Sequence, residues 1–213
     1  MTPETWPCKI HLPATANSYC FQLWSGDQFQ LRITSPRKSK LGDYRYRPSQ
    51  KSHLITINNN LNPYAFLVVY LHEVAHYRTC VKHGLQVKPH GYQWQSQMRS
   101  LLTPMMTTEV FPEDVLWALK SYLKAPKAAS CSHPSLMRAL RKYDAPSDGI
   151  PLEQLDEGGE FWFQSRKYKK GKLRRTRVFC VEADSNRKWL INRMVLVEPI
   201  SNKLATGNQR SDV

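Results

Sequence analysis

From Ala65 to Val81 the chain contains neither Gly nor Pro, and apolar residues occupy nearly every helical face. Such a segment predicts a helix enclosed by other elements rather than one lying on a surface. Asn62 before it is a good N-cap, and Pro63 suits the first helical position, where its missing N–H costs nothing. Upstream, Phe29 to Ile33 alternates apolar and polar and reads as a strand. Pro36 and Lys38 open a polar turn, Gly42 closes it, and Tyr44-Arg45-Tyr46 returns, so a hairpin is expected. Leu54 to Ile57 forms a third strand leading into the helix.

Beyond Gly84 and Pro89 the helical period resumes, with Trp94, Met98, Leu101 and Leu102 on one face. Pro112-Glu113-Asp114 opens a further helix whose stripe is Val115, Leu116, Leu119, Tyr122 and Leu123, ending before Pro126. A shorter one is predicted from Pro134 to Tyr143, with Leu136, Met137 and Leu140 inward. Residues 144–159 carry prolines, glycines and the acids Glu153, Asp156 and Glu157, the composition of a boundary. The period then becomes two. Strands are expected at Phe161–Phe163, Leu173–Val181, Lys188–Ile191 and Met194–Val197, with turns at Lys170-Gly171, Asp184-Ser185-Asn186 and Asn192-Arg193. The fold class is therefore α+β: a small antiparallel sheet packed on helices, followed by a small antiparallel β module or barrel. The expected division is an unassigned segment 1–28, a principal domain 29–145, a linker 146–160, a β module 161–200 and a disordered tail 201–213.

The buried helix carries chemistry. His72 and His76 stand four apart, so both imidazoles project from one face and can reach one ion. The pattern His-Glu-x-x-His supplies two metal ligands and a carboxylate, Glu73, placed to act as general base toward a metal-bound water. The bland alternative, two ordinary half-buried histidines, would bury three polar groups in an apolar helix without purpose. A third ligand could come from His83 or His90. His83 lies two turns beyond His76 on the same helix, about 10 Å along the axis, and suits a helix C-terminus instead. His90 follows the break at Gly84 and Pro89 and can return from another element.

These residues resemble the SprT-like, Spartan-type zinc metalloprotease family. His72-Glu73-Val74-Ala75-His76 matches its ligand helix and His90-Gly91-Tyr92-Gln93-Trp94 its third-ligand motif. The Ile55-Thr56-Ile57-Asn58 strand and the Leu41-Gly42-Asp43-Tyr44 turn are also similar. Likeness to the Bacteroidetes-type subgroup extends through the basic stretch Gly171 to Arg177, so that the resemblance spans Phe29 to Pro199. It implies a zincin-like domain with one catalytic Zn2+ on His72, His76 and His90, Glu73 as catalytic base, and cleavage of proteins bound to DNA. Many bacterial relatives add a zinc ribbon; here Cys8, Cys20, Cys80, Cys131 and Cys180 form no C-x-x-C pair, so a second zinc is not expected, and Cys131-Ser132-His133 reads as a loop leading into a helix. For the tetrahedral oxyanion, Tyr77 and Tyr92 lie near the motifs but suit packing equally.

Charge adds a partner. The formal net charge is +14, which favours polyanions, and between Phe161 and Arg193 eleven basic residues stand against two acidic ones. Arg166, Lys167, Lys169, Lys170, Lys172, Arg174, Arg175 and Arg177 are the candidate nucleic-acid contacts, interleaved with Phe161, Trp162, Tyr168, Phe179 and Trp189 as stacking groups. Nothing suggests base-specific readout. No signal peptide or membrane span is evident, so a cytoplasmic protein without membrane attachment is expected. The rival reading is a non-enzymatic nucleic-acid-binding or transcription-associated factor that keeps a metal fold, in which Glu73 would have no task.

Overall fold

The computed structural model describes residues 2–37, 40–124, 126, 133–146 and 149–200. Cys131, Lys38 and the expected tail 201–213 lie outside these residues. The chain divides into two compact units, Met1–Ala145 and Pro146–Val213.

In the first unit the enclosed helix is α2, Pro63–His83, joined by α1 (Asn17–Gly26), α3 (Tyr92–Leu102), α4 (Glu113–Lys124) and α5 (Pro134–Arg141). The Asn62 side chain accepts from the Ala65 amide at 3.0 Å, while its Nδ2 donates to the Leu140 carbonyl at 3.0 Å and to Asp144 at 2.5 Å. One residue thus caps α2 and ties it to α5. Gly84 ends the helix at φ 74°, a left-handed conformation that glycine adopts without steric cost. From Ala65 to Ala75 every residue of α2 is buried, as expected for a helix wrapped by the rest of the core. Trp94, Met98, Leu101 and Leu102 of α3 are buried too, and α4 and α5 turn their stripes inward; on α5, Ala139 rather than Met137 is buried.

The sheet is mixed rather than antiparallel. Strands β1 (Gln30–Thr34), β2 (Gly42–Arg47) and β3 (Ser52–Asn58) lie in the order β1-β3-β2, with β3 parallel to β1 and antiparallel to β2. The expected β1–β2 hairpin does not form. Strand β3 buries Leu54, Ile55, Ile57 and Asn58, the most apolar set of the three, and so takes the centre with a partner on each edge. Residues before β1, which show no sustained periodicity, belong to this core. Trp6 is 2% exposed, stacks on Trp24, and meets Phe21 and Tyr70 edge-on. Its indole N–H donates to Asn17 Oδ1 at 2.6 Å, and Tyr70 Oη donates to the Cys20 carbonyl at 2.9 Å, fastening α1 to α2.

The second unit is a six-stranded antiparallel sheet. Strands β4 (Ile150–Pro151), β5 (Glu160–Phe163), β6 (Arg166–Arg174), β7 (Arg177–Glu182), β8 (Lys188–Asn192) and β9 (Leu196–Pro199) lie in the order β4-β9-β5-β6-β7-β8. Its core holds Leu152, Phe161, Tyr168, Val178, Cys180, Ile191 and Val197. Lys170-Gly171 is no turn: it is a register irregularity inside β6, and the expected strand Leu173–Val181 is split by the Arg175-Thr176 turn. Gly171 stands there because a Cβ would come within 3.0 Å of the Phe179 ring and carbonyl. Among the described residues no helix is long and apolar enough to cross a membrane.

Candidate metal centre

α2 delivers His72 and His76 one turn apart, and the turn preceding α3 delivers His90. Their Nε2 atoms form a triangle: 3.2 Å between His72 and His76, 2.8 Å between His76 and His90, and 3.2 Å between His90 and His72. The turn is built for this. His90 adopts φ 59°, a conformation uncommon outside glycine, and the Gly91 amide donates to the Lys88 carbonyl at 2.9 Å. A Cβ on Gly91 would meet that same carbonyl oxygen at 2.9 Å, so glycine must follow the histidine. Gln95 Nε2 donates back to the His90 carbonyl at 3.2 Å. Trp94, 1% exposed, backs all three imidazoles at centroid distances of 4.6, 5.4 and 4.7 Å, and its N–H donates to the His72 carbonyl at 3.3 Å.

Three imidazole nitrogens this close cannot all be satisfied by one another, because a neutral ring brings one donor and one acceptor. Burial, then the neighbouring rings, holds His72 well below the ordinary histidine range; burial and His90 bring His76 down to about 3; burial also lowers His90. All three are neutral near pH 7 and present lone pairs. Ligand nitrogens placed tetrahedrally at the usual Zn–N length of about 2.0–2.1 Å would lie roughly 3.3 Å apart, close to the triangle observed. The residues fit a zinc-sized ion. Among the described residues, His72, His76 and His90 are the one group of three His, Cys, Asp or Glu ligands gathered tightly enough to hold a metal. His83 lies exposed at the end of α2, outside this group.

Glu73 lines the same cavity as the triad, a cleft of about 430 Å³ whose far wall comes from β2 and the residues following α2. The carboxyl is buried, and burial, reinforced by the charge of Asp43, pushes its pKa up to about 8; the Tyr44 main chain hydrogen-bonds it and opposes the rise. Gly42 permits the approach, since a Cβ there would sit 2.6 Å from both Glu73 Oε1 and Val69 Cγ1. Burial would raise Asp43 too, but Lys40 at 2.8 Å and Arg45 at 2.5 Å outweigh it and hold this carboxyl below its usual range.

Residues 11–113 match the SprT-like family. No curated protein and no solved structure matches the chain. The SprT-like family is associated with metallopeptidase activity. The matched stretch begins inside the N-terminal segment that periodicity left without an element, and it stops before the second unit.

Tyr44 is the wall residue that sequence reasoning passed over. Its ring lies parallel to His76, 6.3 Å between centroids and 5° between planes, and its hydroxyl shares a hydrogen bond of 2.8 Å with His53 Nδ1. Only its place in the Gly42-Asp43-Tyr44 run, opposite α2, could have signalled it. Neither Tyr77 nor Tyr92 lines the cleft. Tyr77 is buried beside Phe29 and His53 with its hydroxyl accepting from the Gln28 amide at 2.8 Å, and Tyr92 is 78% exposed.

The basic candidates of the second unit separate into groups. Lys170 is 8% exposed and donates to the carbonyls of Glu153 and Leu155, so it is a structural cation and unavailable to a phosphate. Arg166 pairs with Glu182 at 2.9 Å and Lys167 with Glu160 at 2.8 Å. Lys169, Lys172, Arg174, Arg175 and Arg177 are exposed, with no acidic partner within bonding distance among the described residues. Phe161 and Tyr168 face the core, whereas Trp162 is 46% and Trp189 41% exposed.

Proposed function

We propose that the first unit is a zincin-like metallopeptidase domain in which His72, His76 and His90 hold one zinc ion and Glu73 is the general base. The observation that carries this is the convergence of three neutral imidazoles within 3.2 Å, beside a buried carboxyl that lines the same cleft. A zinc ion held there supplies Lewis-acid polarisation of a peptide carbonyl and acidification of water. Glu73 in its ionised form takes a proton from the attacking water and returns it to the leaving amine. Its raised pKa makes it a better base than an exposed glutamate, and a zinc ion held by the three histidines would favour the ionised form. Trp94 packs against all three imidazoles, and Tyr44 lies parallel to that of His76 on the cleft wall, which supports their orientation.

The substrates we assign are proteins bound to DNA. What supports this is the net charge of +14 and the exposed cations of the second unit, which would concentrate the peptidase on a polyanion and restrict it to what is bound there.

The test compares the parent with Glu73→Gln and His90→Ala, after loading with zinc and dialysis against a weak chelator. Elemental analysis and cleavage of a basic protein, with and without DNA, are the readouts. About one zinc per chain is expected in the parent and in Glu73→Gln, with cleavage reduced at least about 100-fold in the latter, and loss of both in His90→Ala. Equal cleavage by parent and Glu73→Gln would refute the mechanism. No cleavage by either, with nucleic-acid binding intact, would favour the non-enzymatic reading.

A further inference from the structure

The cleft over the triad has two unlike walls. On one side stand Gly42, Asp43 and Tyr44 of β2, whose polar side chains are already engaged: Asp43 pairs with Lys40 and Arg45, and the Tyr44 hydroxyl shares its hydrogen bond with His53. The other wall is the link that carries the chain from the end of α2 to His90. It contributes Leu85, Val87, Lys88 and Pro89. The main chain holds this link at both ends, the Gly84 amide donating to the Cys80 carbonyl at 2.8 Å and the Gly91 amide to the Lys88 carbonyl at 2.9 Å. α2 also lines the cleft with Thr79 and Cys80, and Thr79 Oγ1 donates within the helix to the Ala75 carbonyl at 2.7 Å.

Leu85, Val87 and Pro89 are apolar residues in a segment that has no core to fill. Leu85 is 61% exposed, and neither it nor Val87 packs into the hydrophobic core of the unit. Their apolar surface is offered to whatever enters the cleft. Pro89 directly precedes the ligand His90, so a side chain lying against this wall belongs to a residue next to the carbonyl that a bound metal would polarise. A lysine or arginine there finds no carboxylate to pair with. Asp43 is taken by two cations, Glu73 is the base, and Lys88 on the same wall adds charge of the same sign.

We propose that Leu85, Val87 and Pro89 form the specificity subsite of the cleft, taking an apolar side chain next to the scissile bond and rejecting a cationic one. The inference rests on reading the first unit as a metallopeptidase and names the residue at which that peptidase cuts. Within a basic protein bound to DNA, it places the cuts beside apolar residues rather than beside the lysines and arginines that hold the protein there.

The test uses short labelled peptides that are identical except for Leu, Glu or Lys at one central position. Fluorescence anisotropy measures their binding to the zinc-loaded full chain carrying Glu73→Gln, and mass spectrometry maps where the zinc-loaded parent cuts them. The Leu peptide is expected to bind roughly 10-fold more tightly than the Lys peptide, and the parent to cut beside the Leu. Leu85→Glu and Val87→Asp, made singly in both backgrounds, should each shrink or reverse that ratio, whereas a merely structural role would change the affinity for every peptide alike. Thermal melts and zinc content at parent values establish that these variants are folded. Equal binding of Leu and Lys peptides, or a ratio untouched by both variants, would overturn the subsite while cleavage by the parent upholds the peptidase. The expected binding ratio without any cleavage would refute the peptidase and leave the subsite as a peptide-binding wall. Binding of no peptide would overturn the subsite.

Discussion

Each unit buries an ionisable side chain on its central element, and the two are treated oppositely. Lys170, in the middle of β6, donates to two main-chain carbonyls. Glu73, in the middle of α2, lies near the carboxylate of Asp43 with the Tyr44 main chain as its hydrogen-bonding partner, and its pKa climbs to about 8. A buried charge with full hydrogen bonding is architecture; one held short of it is available for proton transfer. Sequence composition alone would have ranked them the other way, since Lys170 sits in the most basic stretch of the chain.

That contrast can be broken at its sharpest point by Gly42→Ala. The added methyl would fall 2.6 Å from Glu73 Oε1, so we expect cleavage to drop about 100-fold, with metal content measured by elemental analysis unchanged. Next comes the pH dependence of stability in the metal-free protein. The three histidines titrate below their ordinary range in the folded state, so they remove stability only as pH falls below about 6.5, where the unfolded chain takes up protons. Glu73 is raised, so its contribution is present below about pH 4.5 and is lost as pH rises toward 8. Between pH 6.5 and 8 the histidines still regain part of their share, so Glu73 is read by difference: in denaturant unfolding with a chelator the parent should lose ~1.5–2 kcal/mol relative to Glu73→Gln over this window.

The matching change in the second unit is Lys170→Met. It leaves the Glu153 and Leu155 carbonyls without their buried donor and should cost ~2 kcal/mol in unfolding of that unit, against less than ~0.5 kcal/mol for the exposed Lys169→Met. A somewhat smaller loss than for Lys170→Met, ~1–2 kcal/mol by denaturant unfolding with metal content intact, is expected for Asn62→Ala, which removes the cap of α2 and its link to α5.

What the sequence made legible follows from how local each signal is. The helix bounds of α2 were readable because Asn62, Pro63 and Gly84 act through the nearest turn, and the stripes of α3 and α4 because one face meets the core. Strand partners were not, since β3 enters between β1 and β2 for reasons of burial that no window of alternating residues contains. In β6, Gly171 has the local look of a turn residue, but its task is to make room for Phe179 on the next strand. The same holds for the cleft. His72, Glu73 and His76 share a helix and could be named from spacing, and His90 from the chain break before it. Gly42, Asp43 and Tyr44 enter by the register of β2, some thirty residues away in the chain, and α1 escaped notice because its buried positions, Cys20 and Leu23, make too short a stripe.

The docking of Trp6 against Tyr70 has a consequence for synthesis on the ribosome. Trp6 and Cys8 leave the exit tunnel long before Phe66 and Tyr70, the residues around which that part of the core closes. These apolar residues therefore wait for roughly sixty further residues before α2 can cover them, and chaperones that act on nascent chains can bind the segment in that interval.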